Sequence, residues 1–165
     1  MHADILFTGG TVRTALTGAP VHDALAVAGG RISALGTAAL AARGPLTTVV
    51  DLAGGALLPA FGDSHVRPVT GGPALHGVPV RDRGNVEDVA DALTAYSAGC
   101  AHQAFEEKKW GVLRPGMRAD LVHLAADPVE TAPAALAGLP VPGTWLAGRR
   151  THEADASAHV PAGRR

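Results

Sequence analysis

A mainly β protein with one or two helices is predicted by three features of this sequence. Glycine pairs at Gly9-Gly10, Gly29-Gly30 and Gly54-Gly55 punctuate short apolar runs in the first third of the chain. Strand-like alternation returns in Ala119-Asp120-Leu121-Val122-His123-Leu124 and again from Gly143 to Arg150. Between them lies a single stretch with the spacing of an amphipathic helix. Glycine adopts positive φ without steric penalty, so a glycine pair between apolar, β-branched runs suits a tight hairpin turn.

Taken in order, Ile5-Leu6-Phe7 and Thr11-Val12-Arg13 flank the first pair. Leu25-Ala26-Val27 and Arg31-Ile32-Ser33 flank the second, and Thr48 to Leu52 and Ala56-Leu57-Leu58 flank the third. Ala38 to Arg43 suits no more than a helical turn. Residues 62–84 are rich in Gly, Pro, Val and Arg and read as irregular. Asn85 is a helix-capping residue, with Asp88 three positions on in the place of a capping-box acid. Val86, Val89, Ala90, Leu93, Ser97, Cys100, Ala101 and Ala104 then fall on one helical face, predicting a helix over 86–107. Gly99 costs about 1 kcal/mol relative to alanine in a helix interior, so a break is expected between Ser97 and Gly99. Gly111 to Gly116 reads as a strand end and turn. Residues 127–140 form a proline-bearing connection with a short helix around Pro133 to Leu136, and 143–150 form a closing hairpin. The small, polar residues of 151–165 read as a disordered tail.

Composition narrows the function classes. A formal net charge of −1 gives no electrostatic reason to expect nucleic acid or an anionic membrane as partner. Aromatic residues are 4% of the chain, too few for the stacking platforms of single-strand binders. A lone cysteine, Cys100, excludes an intramolecular disulfide and a cysteine-rich zinc site. No run approaches the roughly 20 apolar residues of a membrane span. The N-terminus lacks a basic stretch followed by a long apolar one, so the default expectation is a cytoplasmic protein.

The chemistry-bearing motif is Leu57-Leu58-Pro59-Ala60-Phe61-Gly62-Asp63-Ser64-His65-Val66-Arg67-Pro68. It resembles the end of the first barrel strand in amidohydrolase-superfamily enzymes, where Asp-Ser-His-x-His-Pro follows a hydrophobic run. Two more blocks resemble the tail of that family in its own order. One is Gly111-Val112-Leu113-Arg114-Pro115-Gly116-Met117-Arg118-Ala119-Asp120-Leu121-Val122, and the other is Gly143-Thr144-Trp145-Leu146-Ala147-Gly148-Arg149. The resemblance is to the N-acyl deacylase and formamidase-like branch of these metal-dependent hydrolases.

The resemblance implies a composite β-sandwich in which residues 1–58 and 111–150 come together, with 59–110 as the remnant of a barrel. A (β/α)₈ barrel takes about 250 residues, and the chain has 165. A first-helix pattern runs into a last-helix pattern near Ala92 to Ala95, so most of the barrel is expected to be absent. The implied family activity is hydrolysis of non-peptide carbon–nitrogen bonds with zinc or another divalent metal. In the family, two histidines one residue apart on a strand point the same way and bind that metal. Here His65 stands at the first position, but Arg67 occupies the second, and a guanidinium has no lone pair to give a metal. A catalytic zinc site needs three protein ligands and an open position. The expectation is therefore a truncated, catalytically inactive remnant with no cofactor, no catalytic residue and a vestigial metal position at His65. The alternative is a small interaction module that self-associates through sheet edges or its exposed helix, or binds a full-length relative.

Other residues are assigned structural roles. His76, His102 and His123 lack the spacing of a two-histidine zinc motif. Asp120 is expected to satisfy backbone groups at a strand start, Trp145 to sit in the sandwich core or rim, and Cys100 to pack on an apolar helix face. Asp63 is read as a turn-forming acid, and Glu106-Glu107-Lys108-Lys109 as a solvated helix end.

Overall fold

The computed structural model describes residues 2–16, 18–62 and 86–154, with the side chains of residues 86–88 outside that description. Two sheets carry the fold. The first orders its strands β4-β3-β1-β5, with β1 Ile5–Thr8, β3 Leu25–Ala28, β4 Arg31–Leu35 and β5 Thr48–Asp51. The second orders them β2-β6-β7-β8-β9, with β2 Thr11–Val12, β6 Ala56–Pro59, β7 Leu121–Leu124, β8 Gly143–Leu146 and β9 Arg149–Glu153. The protein is mainly β, as its sequence predicts, and no barrel closes among the described residues.

The second sheet joins the two ends of the chain. β6 pairs antiparallel with β7 through Ala56↔Leu124, Leu57↔His123, Leu58↔Val122 and Pro59↔Leu121. The first sheet is tied to the C-terminal segment as well: Ile32 N–H donates to the Met117 carbonyl at 2.9 Å, and Gly116 N–H to the Ile32 carbonyl at 2.8 Å. Strand periodicity sorts the side chains into layers. Phe7, Leu25 and Val27 from the first sheet meet Leu57, Leu121 and Trp145 from the second in the central core. Alternate residues, Leu6 and Ala26, face α1 (Thr37–Ala41) on the outer side of the first sheet. Ala56, Leu58, Val122 and Leu124 face outward from the second sheet, where Leu93, Leu139 and Val141 cover them. Covering on both faces explains why β6 and β7 are buried along their whole length and read as nearly continuous apolar runs.

Only the middle glycine pair makes the expected hairpin. Ala28 lies opposite Arg31, and Gly29 and Gly30 take φ of 56° and 74°, as a two-residue turn requires. The other two pairs do something different. β1 and β2 lie in different sheets, as do β5 and β6, so Gly9-Gly10 and Gly54-Gly55 are corners where the chain passes from one sheet to the other. The corners run side by side because β1 is parallel to β5 and β2 to β6. Gly54 N–H donates to the Gly9 carbonyl at 2.6 Å, and a Cβ on Gly10 would lie 2.3 Å from the Gly55 carbonyl oxygen. The backbones are too close for any side chain there.

The helical segment is interrupted where the sequence suggests. α2 (Val86–Thr94) passes into a π-helical turn at Ala95–Gly99, then into α3 (Cys100–Gln103). Ser97, almost fully buried, turns its hydroxyl back to the Leu93 carbonyl at 2.6 Å, a contact that loosens the regular ladder. The helix stops at Gln103, not at 107. Glu106 N–H bonds the Ala101 carbonyl and Phe105 N–H the His102 carbonyl, with Phe105 at φ 56°, the pairing of a Schellman stop. Two further boundaries differ from expectation. Residues 111–113 form no strand, Leu113 instead plugging the core and donating its N–H to the Thr14 carbonyl. The closing hairpin extends through Glu153, past residue 150, held by the Thr144–Thr151 hydroxyl contact at 2.8 Å and the Arg150–Glu153 ion pair at 2.7 Å. The short helix near Pro133 is present as α4 (Pro133–Leu136).

Candidate functional site

β6 delivers the chain to the metal-box sequence. Leu57–Pro59 belong to β6 and pair with β7. Beyond Pro59, Ala60 N–H donates to the Asp120 carbonyl at 2.9 Å and Gly62 N–H to the Tyr96 carbonyl at 2.8 Å. The Cys100 thiol donates to the Gly62 carbonyl at 3.0 Å. The entrance to the box is thus fastened to a strand start and to the helix, which gives Cys100 a packing and anchoring role. His65 and Arg67, with Asp63, His76 and Asn85, lie outside the described residues.

Among the described residues, the histidines are not brought together as a site. His102 is exposed on α3. His123 is buried on β7, its Nε2 3.1 Å from the Leu52 carbonyl oxygen. A carbonyl can only accept, so Nε2 carries the proton and His123 is a neutral strap between β7 and the Leu52 corner. Burial pushes its pKa below the ordinary 6.5, and Arg150 adds to the lowering, while the Leu52 hydrogen bond and Asp51 oppose it. The unfolded chain therefore binds this proton more readily than the folded one. Stability should be complete above about pH 6.5, fall as the pH drops below that, and level off once the folded-state value is passed. Chemical denaturation of wild type and His123→Gln across this range checks the sign. Gln keeps a donor for Leu52 and should flatten the slope, whereas identical pH profiles would remove His123 as its source.

Asp120 takes the structural role read from the sequence. Its Oδ1 accepts the Ala147 N–H at 2.9 Å, and its Oδ2 holds Arg118 through Nε at 2.7 Å and through a terminal guanidinium nitrogen at 2.6 Å. One buried carboxylate thereby locks the start of β7 to the β8–β9 turn. That hydrogen-bonded contact holds the Arg118 guanidinium above its ordinary value. Trp145 is core, 3% exposed, with its ring edge-on to Phe7 at 4.9 Å between centroids. Glu106 pairs with Lys109 at 2.7 Å and accepts the Trp110 indole N–H at 3.1 Å, so this charged run is partly knitted together.

Sequence reasoning missed the ion pair between Arg13 and Asp127. Arg13 Nε reaches both Asp127 carboxylate oxygens, at 2.7 and 2.8 Å, linking residues 114 positions apart. The local sign was Asp127-Pro128, a turn-starting dipeptide, whose carboxylate also accepts the Val129 N–H. Its partner was invisible without the fold. Arg13 also borders a cavity of about 260 Å³ between β6, α2 and the loop after β2, lined by Leu16, Leu58, Phe61, Leu93 and Ser97. The lining is mixed, with Thr14, Asp91 and Thr94 set among the apolar side chains.

Among the described residues no three His, Cys, Asp or Glu side chains stand close enough to hold a metal ion. In the box itself one imidazole is followed, two residues on, by a guanidinium that repels cations.

The two-sheet β fold joins strands from before and after the helical segment. A family profile described as amidohydrolase family matches residues 67–152, just over half of the chain, and the chain belongs to that family. The matched region contains the Gly111–Val122 block and the closing hairpin. Among solved structures, an amidohydrolase from Thermotoga maritima MSB8 is similar at 22% identity and a TM-score of 0.34. The likeness covers 39% of this chain and 15% of that one. No curated protein matches the chain. No helix among the described residues is long and apolar enough to cross a membrane.

Proposed function

We propose that this chain is an amidohydrolase of the N-acyl deacylase and formamidase-like branch that keeps the composite sandwich, lacks most of the barrel, and does not hydrolyse carbon–nitrogen bonds by itself. The observation that carries this reading is Arg67, which stands where the family's second metal-binding histidine belongs. A permanently protonated guanidinium beside His65 disfavours a divalent cation by charge and offers it no lone pair. Residues 1–58 and 111–150 act in this reading as one sandwich, and 59–110 as what remains between its halves.

Two measurements test it. Elemental analysis after dialysis should find no stoichiometric zinc, manganese, iron or nickel; one tightly held metal per chain would overturn the reading. Assays with N-acyl amino acids, formamides and cyclic amides should show no turnover above background, for wild type and for Arg67→His. The substitution restores a second imidazole and still leaves fewer than the three protein ligands of a catalytic zinc site. Metal-dependent turnover in Arg67→His would show that the arginine alone had silenced a complete site.

A further inference from the structure

Among the described residues the two sheets have four edge strands; two are covered and a third is interrupted by a register shift. The outer side of β2 is taken by His22, whose backbone exchanges hydrogen bonds with Val12 at 2.7 and 3.0 Å. The outer side of β4 is taken by the 116–118 segment through Ile32, with an Arg31–Arg118 bridge beside it. β9 is kinked by a register shift opposite Thr144 and Trp145 and carries Arg149, Arg150 and Glu153. Bulges and charges of this kind are how sheet edges avoid pairing with other chains.

β5 carries one charge, Asp51 at its end, and among the described residues it has neither a register shift nor a covering segment. Thr48-Val49-Val50-Asp51 pairs with β1 in unbroken parallel register, and no strand lies beyond it among the described residues. Thr48 N–H donates to the Asp4 carbonyl and Leu52 N–H to the Thr8 carbonyl. Residues 48, 50 and 52 therefore direct their backbone groups inward, leaving the N–H and C=O of Val49 and Asp51 pointing out along the edge. Apolar side chains accompany them, Val49 being 40% and Leu46 94% exposed.

We infer that β5 is a self-association edge, pairing antiparallel with β5 of a second copy of this chain about a two-fold axis at Val50. That register sets Val49 opposite Asp51 of the other copy, twice, and satisfies all four outward backbone groups of each strand. Centring instead on Asp51 would oppose two carboxylates, and centring on Val49 would place Asp51 opposite Thr47, whose N–H already bonds the Gly44 carbonyl. Charge points to the same occupant. Exposed Arg43 lies on the turn entering β5 and exposed Asp51 ends the strand, so antiparallel pairing brings the basic end of each copy to the acidic end of the other. Val50, half-buried against the central core, would meet its own counterpart, extending that core across the two copies. The closed assembly is isologous, as a two-fold interface requires.

Sedimentation velocity of the full chain over a concentration series, with amide hydrogen exchange, tests this. A monomer–dimer equilibrium is expected, and the amides of Val49 and Asp51 should gain protection as concentration rises. Val49→Pro removes one outward N–H at an edge position where proline is tolerated, and should raise the dissociation constant at least about tenfold. Val49→Lys, which keeps the backbone intact, should do the same through charge at the edge, so a folding failure in the proline variant leaves the test standing. Arg43→Glu should weaken association and reduce its salt sensitivity. A monomer at every concentration, or a dimer in which Val49 and Asp51 stay unprotected or which both Val49 variants leave intact, would overturn the inference.

Discussion

Trp145→Ala is expected to lower unfolding stability by about 3–5 kcal/mol, the range for removing a large aromatic side chain from a packed core. The indole is almost fully buried where β8 faces β1, edge-on to Phe7, with the Arg150 guanidinium 5.3 Å from its ring centroid. Neighbouring Gly143 makes room for it, since a Cβ there would sit 2.7 Å from the far edge of the indole. A cavity at this point separates the N-terminal strands of the first sheet from the C-terminal strands of the second. Equilibrium urea unfolding measures the loss, with the slope confirming that the same surface is exposed. A change below about 1 kcal/mol would mean that the two halves are not held together through this contact.

Gly55→Ala should be about as damaging as a severe overpacking change, about 3 kcal/mol or more, although it adds one methyl group. That methyl would lie 2.3 Å from the Leu124 carbonyl oxygen, 2.7 Å from His123 Nε2 and 2.9 Å from the Leu52 carbonyl oxygen. Two of these neighbours are backbone and cannot rotate away, and the third is the strap between β7 and the corner. Gly54→Ala provides a contrast, because its Cβ would meet nothing within 4 Å. It carries only the penalty of positive φ, about 1–2 kcal/mol. Thermal unfolding of the two variants side by side reads the difference. Equal losses would show that corner conformation, and not close approach of β7, is what requires glycine at 55.

Local chemistry made much of the fold legible. Gly29-Gly30 announced a hairpin because a two-residue turn needs positive φ at both positions, and both glycines have it. The helix expected over 86–107 and its interruption followed from apolar spacing and Gly99, although the helix stops at Gln103. Asp120 and Trp145 were placed correctly because a carboxylate at a strand start and a large indole have few ways to be satisfied. The corners at Gly9-Gly10 and Gly54-Gly55 were misread for a definable reason. A glycine pair states that the backbone turns or approaches another backbone, and it does not say whether the next strand returns to the same sheet. That choice rests on where β6 finds a partner, and the partner, β7, is more than 60 residues away in sequence.

The candidate site divides along the same line. The presence of His65 and the absence of a metal-binding side chain at 67 are properties of the sequence alone, because protonation and lone pairs belong to residue types. So are the family blocks, whose spacing survives in the chain order. Only the tertiary structure decided that β6 takes β7 as its antiparallel partner, that His123 is a buried strap, and that Arg13 closes on Asp127 across the chain. It also decided which sheet edge stays open among the described residues. Edges, straps and long-range ion pairs depend on which distant segments bury one another's apolar faces, and side-chain periodicity specifies a face without naming the face that will cover it.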